Sequence, residues 1–344
     1  MFTVCIRNKA SFSRLTPGVG LMLLSALIVL CAVGSIFIGT RDIDTETTWQ
    51  ALIAYEPTNT EHLLVHYLRV PRSILSVVVG VALGGAGAVM QALTRNPLAE
   101  PGLLGINAGA TLAIVTGIAA FGISDTSQYM WFGIAGSALA GGAVYLLADL
   151  NHGSSPVKVV LAGTALSVVL FACTHIITLN SEEQVFDQFR HWVIGSLQGR
   201  DYRVLYPVLS LVICGVVVSL SLVKELNSVS LGADVSRSLG IDQRKLWFGA
   251  SMAIVILAGA ATAAAGPVSF VGLTAPHIAR VIVGSDYKWL LPYSMLISAL
   301  LLVVADTLGR VIGYPNEISV GVMVALLGGP FFVFLVRRWK IAQL

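Results

Sequence analysis

The chain of 344 residues is 56% hydrophobic and only 11% charged, with a mean hydropathy of +0.83. Those values exclude a soluble domain of ordinary composition. The formal net charge of +3 is a matter of membrane topology and gives no reason to expect a nucleic-acid partner. The fold class expected is all-α, a polytopic membrane protein whose residues 1–344 form one transmembrane domain in a lipid bilayer.

In chain order, Arg7, Lys9 and Arg14 precede a charge-free run at 15–40. The run is too long for the apolar region of a secretory signal and no small-residue cleavage site precedes the polar segment after it, so a retained signal anchor is expected. Residues 41–68, with Asp42, Asp44, Glu46, Glu56 and Glu61, read as a polar loop. Charge-free runs follow at 73–94, 101–124, 126–148 and 159–181. Each is long enough for a hydrocarbon core of about 30 Å, which takes about 20 helical residues. Residues 180–203 form a second loop, in which EEQVFDQFRHWVIGSL has the apolar spacing of an amphipathic surface helix.

A run at 204–223 leads to KELNSVSLGADVSRSLGIDQRK at 224–245, the internal segment with the length and polarity of a docking loop. The next run, 246–279, would make one helix about 50 Å long. Gly266-Pro267 supplies a break in it, so it reads as two spans. Runs at 289–305 and 318–336 complete ten spans.

Ten spans put both termini on one side. With that side cytoplasmic, it receives two thirds of the 21 lysines and arginines, as the positive-inside rule requires. Loops 41–68 and 180–203 are then periplasmic, and 224–245 is cytoplasmic. Cys31, Cys173 and Cys214 fall within spans and Cys5 lies near the N-terminus, with no metal or disulfide spacing. There is no GxxxxGK[ST] element, so any ATPase is another polypeptide.

Several residues stand out. Arg69 and Arg72, three apart, share a helix face at the mouth of the second span, where they either bind an acidic partner or snorkel to headgroups. Asp306 and Arg310 form an i,i+4 pair that would explain a carboxylate near hydrocarbon. Asn96-Pro97 and Pro101-Gly102 mark a tight structural turn between spans. Leu231, Gly232, Ala233, Asp234, Leu239 and Gly240 outline short helical pieces able to dock on a partner. Gly80, Gly84, Gly85 and Gly87, and Gly259 with its neighbouring alanines, read as close-packing helix surfaces. His175 and His277 are lone intramembrane histidines, read as readily as helix-to-helix hydrogen-bonding groups as pathway groups. A faint likeness between the stretches around 84–105 and 258–273 suggests an inverted repeat.

The segment RVPRSILSVVVGVALGGAGAVMQALTRNPLAEPGLLGINAGA, 69–110, resembles the iron-siderophore and cobalamin (FecCD-type) permeases, the membrane subunits of bacterial ABC importers. The resemblance extends from about residue 20 onward. It implies that the R-x-P-R element here, Arg69, Pro71 and Arg72, forms salt bridges with glutamates of a periplasmic substrate-binding protein, joined by Arg310. It also implies that 224–245 forms the coupling helices on the ATPase. The general importer signature there, Glu-Ala-Ala and then Gly, is kept in spacing by Asp234-Val235-Ser236 and Gly240 but not in identity.

LTRNPLAEPGLLGINAGA most resembles permeases for catecholate siderophores such as ferric enterobactin. The partners implied are a second permease, homologous rather than identical, two ATP-binding subunits, the binding protein and the ferric siderophore. The chain itself would bind no cofactor or metal and would not be an enzyme, ATP being used by the partner subunit. Cobalamin or haem is the alternative cargo, and a homodimer the alternative assembly. An ion-coupled secondary transporter built on Asp306 and His175 is the rival from another class.

Overall fold

The computed structural model describes residues 16–149 and 156–338. These are helical with no strand among them, in chain order α1 (Pro17–Phe37), α2 (Thr45–Ile53), α3 (Thr60–Thr94), α4 (Ile106–Phe121), α5 (Thr126–Leu147), α6 (Pro156–Leu179), α7 (Glu183–Val193), α8 (Tyr202–Ser221), α9 (Val223–Ser230), α10 (Ala233–Ser238), α11 (Gln243–Ala265), α12 (Val271–Val283), α13 (Tyr287–Ile312) and α14 (Val320–Arg338). Seven of them, α1, α3, α5, α6, α8, α11 and α13, are long and apolar enough to cross a membrane. Three shorter apolar helices, α4, α12 and the Val320–Val333 part of α14, account for the remaining charge-free runs. α2 and α7 lie at the end of the bundle called here the mouth face, and α9 and α10 at the opposite end, the loop face.

Helix α3 is the centre of the bundle, and almost every residue from Pro71 to Thr94 is buried. Its glycines explain how. A Cβ on Gly80 or Gly84 would run into the backbone of α13 at Ala299 and Ser294, and one on Gly87 into the Gly272 carbonyl of α12. These glycines therefore set the distance between helices, as small residues do where no hydrophobic effect drives association in lipid. α6 is the opposite case, apolar around its circumference and exposed along most of it.

Three features depart from the expectations. Residues 41–68 are not simply a loop, since they hold α2 and the first turns of α3, which begins at Thr60. A search for charge-free runs stops at Arg72 and Arg69, whereas the helix continues through them because their charges find protein partners.

Helix α12 has 13 residues, about 20 Å at 1.5 Å per residue, too short to span. It is completed by the non-helical stretch 266–270, in which Gly266 and Val268 are buried and whose polar backbone is tolerable because protein groups satisfy it. The Gly266 N–H donates to the Thr262 carbonyl at 2.8 Å, and the Phe270 N–H donates to Glu100 Oε1 at 3.3 Å. The third expected run likewise opens as a 3-10 turn, Pro101–Leu104, before α4. The two stretches expected to be related, around 84–105 and 258–273, meet here, with Pro101 packed on Gly272.

Candidate functional site

At the mouth face, α3 contains a π-helical turn, Val65–Arg69, closed by the Val70 N–H donating to the Val65 carbonyl. Pro71 requires some such adjustment, because its ring lacks an N–H and crowds the preceding turn of a regular helix. The wider turn places Arg69 against the end of α1, where its Nη1 donates to the carbonyls of Ile36 at 3.0 Å and Phe37 at 3.4 Å, and its Nη2 to that of Arg41. Arg310 Nη1 reaches the neighbouring carbonyls of Ser35, at 2.8 Å, and Ile38. The last carbonyls of α1, which helix geometry leaves largely unpaired, are thus capped by two guanidinium groups, the Ser35 carbonyl also accepting the Ile38 N–H. That is the favourable sign of charge for a helix C-terminus.

Arg72 lies one layer deeper. Its Nη2 donates to Asp306 Oδ1 at 2.8 Å and its Nε to both Asp306 oxygens at 3.2 Å, while its Nη1 donates to Glu317 Oε2 at 2.7 Å. Asp306 also accepts the expected i,i+4 contact from Arg310, at 3.0 Å. Arg72, Arg310 and Asp306 are only 9%, 4% and 2% exposed. This changes the reading of the arginines. Arg72 and Arg310 are not free surface cations; they hold α1, α3 and α13 together around one carboxylate, an arrangement in which loss of one partner strands the other charges.

Above this network is a cavity of about 220 Å³ lined by Arg41, Arg69, Arg72, Arg310 and Glu317, with Thr40 and Gln198 among its other walls. Arg41 is exposed and Arg69 half-buried, so the cavity has a cationic rim and a cationic floor.

At the loop face, Gly232 and Gly240 bracket α10 with φ of +120° and +77°, a backbone that only glycine adopts without strain. Leu231 and Leu239, on either side of α10, and Val235 within it are 68%, 61% and 45% exposed, a group of apolar side chains open to solvent. Ala233 and Asp234 open α10; their side chains lie outside the described set. Asn227 of α9 ties this region to α13. Its Nδ2 donates to Asp286 Oδ1, and its Oδ1 accepts the Tyr287 N–H, both at 2.8 Å. The Lys288 N–H first, and then Asn227, holds the Asp286 carboxyl below its ordinary pKa.

In the turn between α3 and α4, Asn96 Oδ1 accepts the Leu98 N–H at 3.0 Å, Pro101 starts the 3-10 turn and the Gly102 carbonyl accepts the Gly105 N–H at 3.0 Å. His175 is exposed on α6, and His277 is buried near the Phe331 ring. No group of His, Cys, Asp and Glu able to hold a metal ion occurs among the described residues. The site residues that sequence reasoning missed are Arg41, Glu317 and Asn227. Arg41 had a signal, a cation on the side that the positive-inside rule leaves poor in them. Glu317 and Asn227 sit in no recognisable spacing.

The FecCD transport family model matches residues 26–338. The chain belongs to the FecCD transport family. Among its relatives, the ferric enterobactin transport system permease protein FepD of Escherichia coli (strain K12) is 41% identical over 313 residues, 91% of this chain and 93% of that protein. The hemin transport system permease protein HmuU of Yersinia pestis is 35% identical over 334 residues, 95% of this chain and 98% of that one. A solved structure described as an inward-facing conformation of a metal-chelate type ABC transporter superposes with a TM-score of 0.82 at 25% identity, covering 94% of this chain and 100% of the other. This FecCD member is accordingly a polytopic permease subunit of an inner-membrane ABC importer. It works with ATPase and substrate-binding partners, and ATP hydrolysis belongs to the separate ATPase subunit.

Proposed function

We propose that this permease carries a ferric siderophore of the catecholate type across the bacterial inner membrane. The observation that carries the reading is the 41% identity to the ferric enterobactin permease over nearly the full length of both chains. The mouth face is the periplasmic one, where a substrate-binding protein sets acidic side chains on the cationic cavity. Arg41 and Arg69 at the rim make first contact, above Arg72 and Arg310. The loop face is cytoplasmic, with both termini, and its exposed Leu231, Val235 and Leu239 seat on an ATP-binding subunit.

The exposed apolar surface of α6 supports a homologous second permease beside this one, so that the chelate passes between two such chains above two ATP-binding subunits. ATP shifts the assembly between states because it binds one of them more tightly, as any ligand-driven switch requires. The mouth network does not favour an ion-coupled carrier, because Asp306 is consumed in ion pairs with Arg72 and Arg310.

The test is binding-protein-dependent uptake of labelled ferric enterobactin, haem and cobalamin in cells lacking their own permeases, with this chain co-expressed with its ATPase and second permease. Ferric enterobactin uptake that disappears in an ATPase mutant is the expected result. Haem uptake, favoured as second reading by the Yersinia pestis relative, or cobalamin uptake would replace the cargo. Uptake that survives without the ATPase would overturn the assignment.

A further inference from the structure

Among the described residues that line the mouth cavity, Glu317 is the one carboxylate, and it faces Arg41, Arg69, Arg72 and Arg310. The two edges of the Arg72 guanidinium are occupied differently. Its inner edge is locked by Asp306, a helical residue whose side chain is 2% exposed. Its outer edge is held by Glu317, whose side chain is 12% exposed and which stands in the turn between α13 and α14 rather than in a helix. The second contact of Glu317 is a long one, from Thr40 Oγ1 at 3.3 Å. A carboxylate entering the cavity from solvent can therefore reach the outer edge of Arg72 only where Glu317 now sits.

We propose that Glu317 is a resident stand-in for an acidic side chain of the docking partner, and that docking exchanges one carboxylate for the other on Arg72. This rests on the docking reading given above and adds a consequence to it. The Arg72–Glu317 pair is a tie between α3 and the 313–319 turn that leads into α14. Exchange leaves Arg72 satisfied, because one carboxylate replaces another and no buried charge is stranded. It returns Glu317 to water at the rim and removes the turn's ion pair to α3, with the Ile318 N–H on the Gly309 carbonyl and the Tyr314 hydroxyl on Asp42 still in place. The partner is thus recognised by a carboxylate, and its arrival is felt at the start of α14. Asp42 and Glu61, the other acids near Arg69, are not paired with Arg72 and take no part in the exchange.

The experiment uses the full importer complex in nanodiscs and its binding protein, with the dissociation constant as readout. Glu317→Gln, which keeps the shape but gives up the competing charge, is expected to tighten binding by about threefold to tenfold. Asp42→Asn removes one negative charge near Arg69 without touching Arg72, keeps an acceptor for the Tyr314 hydroxyl, and is expected to change binding by less than about twofold. Unchanged or weaker binding by Glu317→Gln, or equal tightening by Asp42→Asn, overturns the exchange.

Arg69→Glu separates the two levels of the argument. If it leaves affinity unchanged, docking at this mouth fails and the exchange falls with it. If it weakens binding while Glu317→Gln does nothing, docking stands and only the exchange is lost. A second measurement needs no change at Glu317: spin labels at Asn316→Cys and Leu63→Cys, with the native cysteines replaced, report the distance from the turn to α3. A shifted or broadened distance on adding the binding protein supports the proposal, and an unchanged one contradicts it.

Discussion

The two ends of α13 solve opposite problems. At the mouth end its carboxylate, Asp306, is buried between two arginines, and the charges serve to hold three helices together. At the loop end its N-cap, Asp286, is bound from outside by Asn227, and Leu231 and Leu239, which flank the neighbouring α10, are exposed together with its Val235 and Arg237. Charge is buried where three helices meet, and apolar side chains are exposed at the end proposed to meet the ATPase. The lesson is that a residue type does not announce its use, since the arginines that look like a docking patch are mostly framework and the leucines that look like core are open to solvent.

The sharpest way to break this comparison is to remove the centre of the mouth. Asp306→Ala leaves Arg72 and Arg310 buried without their shared carboxylate and is expected to cost about 3–5 kcal/mol. The loss should show as a much lower thermal midpoint in detergent and a collapsed yield. A midpoint within a few degrees of wild type would mean that the network is not framework.

Next comes the packing on which the network rests. Gly84→Val forces a side chain into the Ser294 backbone of α13 and is expected to cost about 1–3 kcal/mol by overpacking, read by the same melt. No loss would show that α3 and α13 part easily.

On the loop face the expectation reverses. Leu231→Asp with Leu239→Asp should change stability by no more than about 0.5 kcal/mol, while co-purification of the ATPase falls at least tenfold. A destabilised variant would place these leucines in the fold instead.

The smallest effect belongs to the Asn227 tie, where Asn227→Ala should cost about 1 kcal/mol or less and chiefly reduce binding-protein-stimulated ATP hydrolysis. Its pH dependence has a definite sign. Asp286 is held below the ordinary carboxylate pKa of about 3.9, so its contribution is fully present above that value and is lost as pH falls through the folded pKa. The difference between Asn227→Ala and wild type should be constant from about pH 5 to pH 8 and shrink only in acid. A change within the neutral range would contradict the tie.

Much of this was legible in the sequence. Charge-free runs gave ten apolar segments, Gly266-Pro267 marked the break between α11 and α12, and Asp306 called for Arg310 one turn away. What was not legible depends on partners distant in sequence. α3 continues through Arg69 and Arg72 because α1 ends beside one and Asp306 stands beside the other, and no local pattern contains either fact. Glu317 was invisible for the same reason, because its meaning comes from Arg72, far back along the chain. The shortness of α12 was hidden because an irregular stretch packed within the protein and a helix carry the same apolar composition. The Gly266 N–H on the Thr262 carbonyl and the Phe270 N–H on Glu100 show how that stretch is satisfied.

The central claim is that the two faces of this permease serve two different proteins. The measurement that tests it most directly is the stoichiometry of ATPase and of binding protein retained on the purified complex, for Arg41→Glu with Arg69→Glu and for Leu231→Asp with Leu239→Asp. The account predicts that the arginine variant loses the binding protein and keeps the ATPase, and that the leucine variant does the reverse. Loss of both partners by either variant, or of neither, would contradict it.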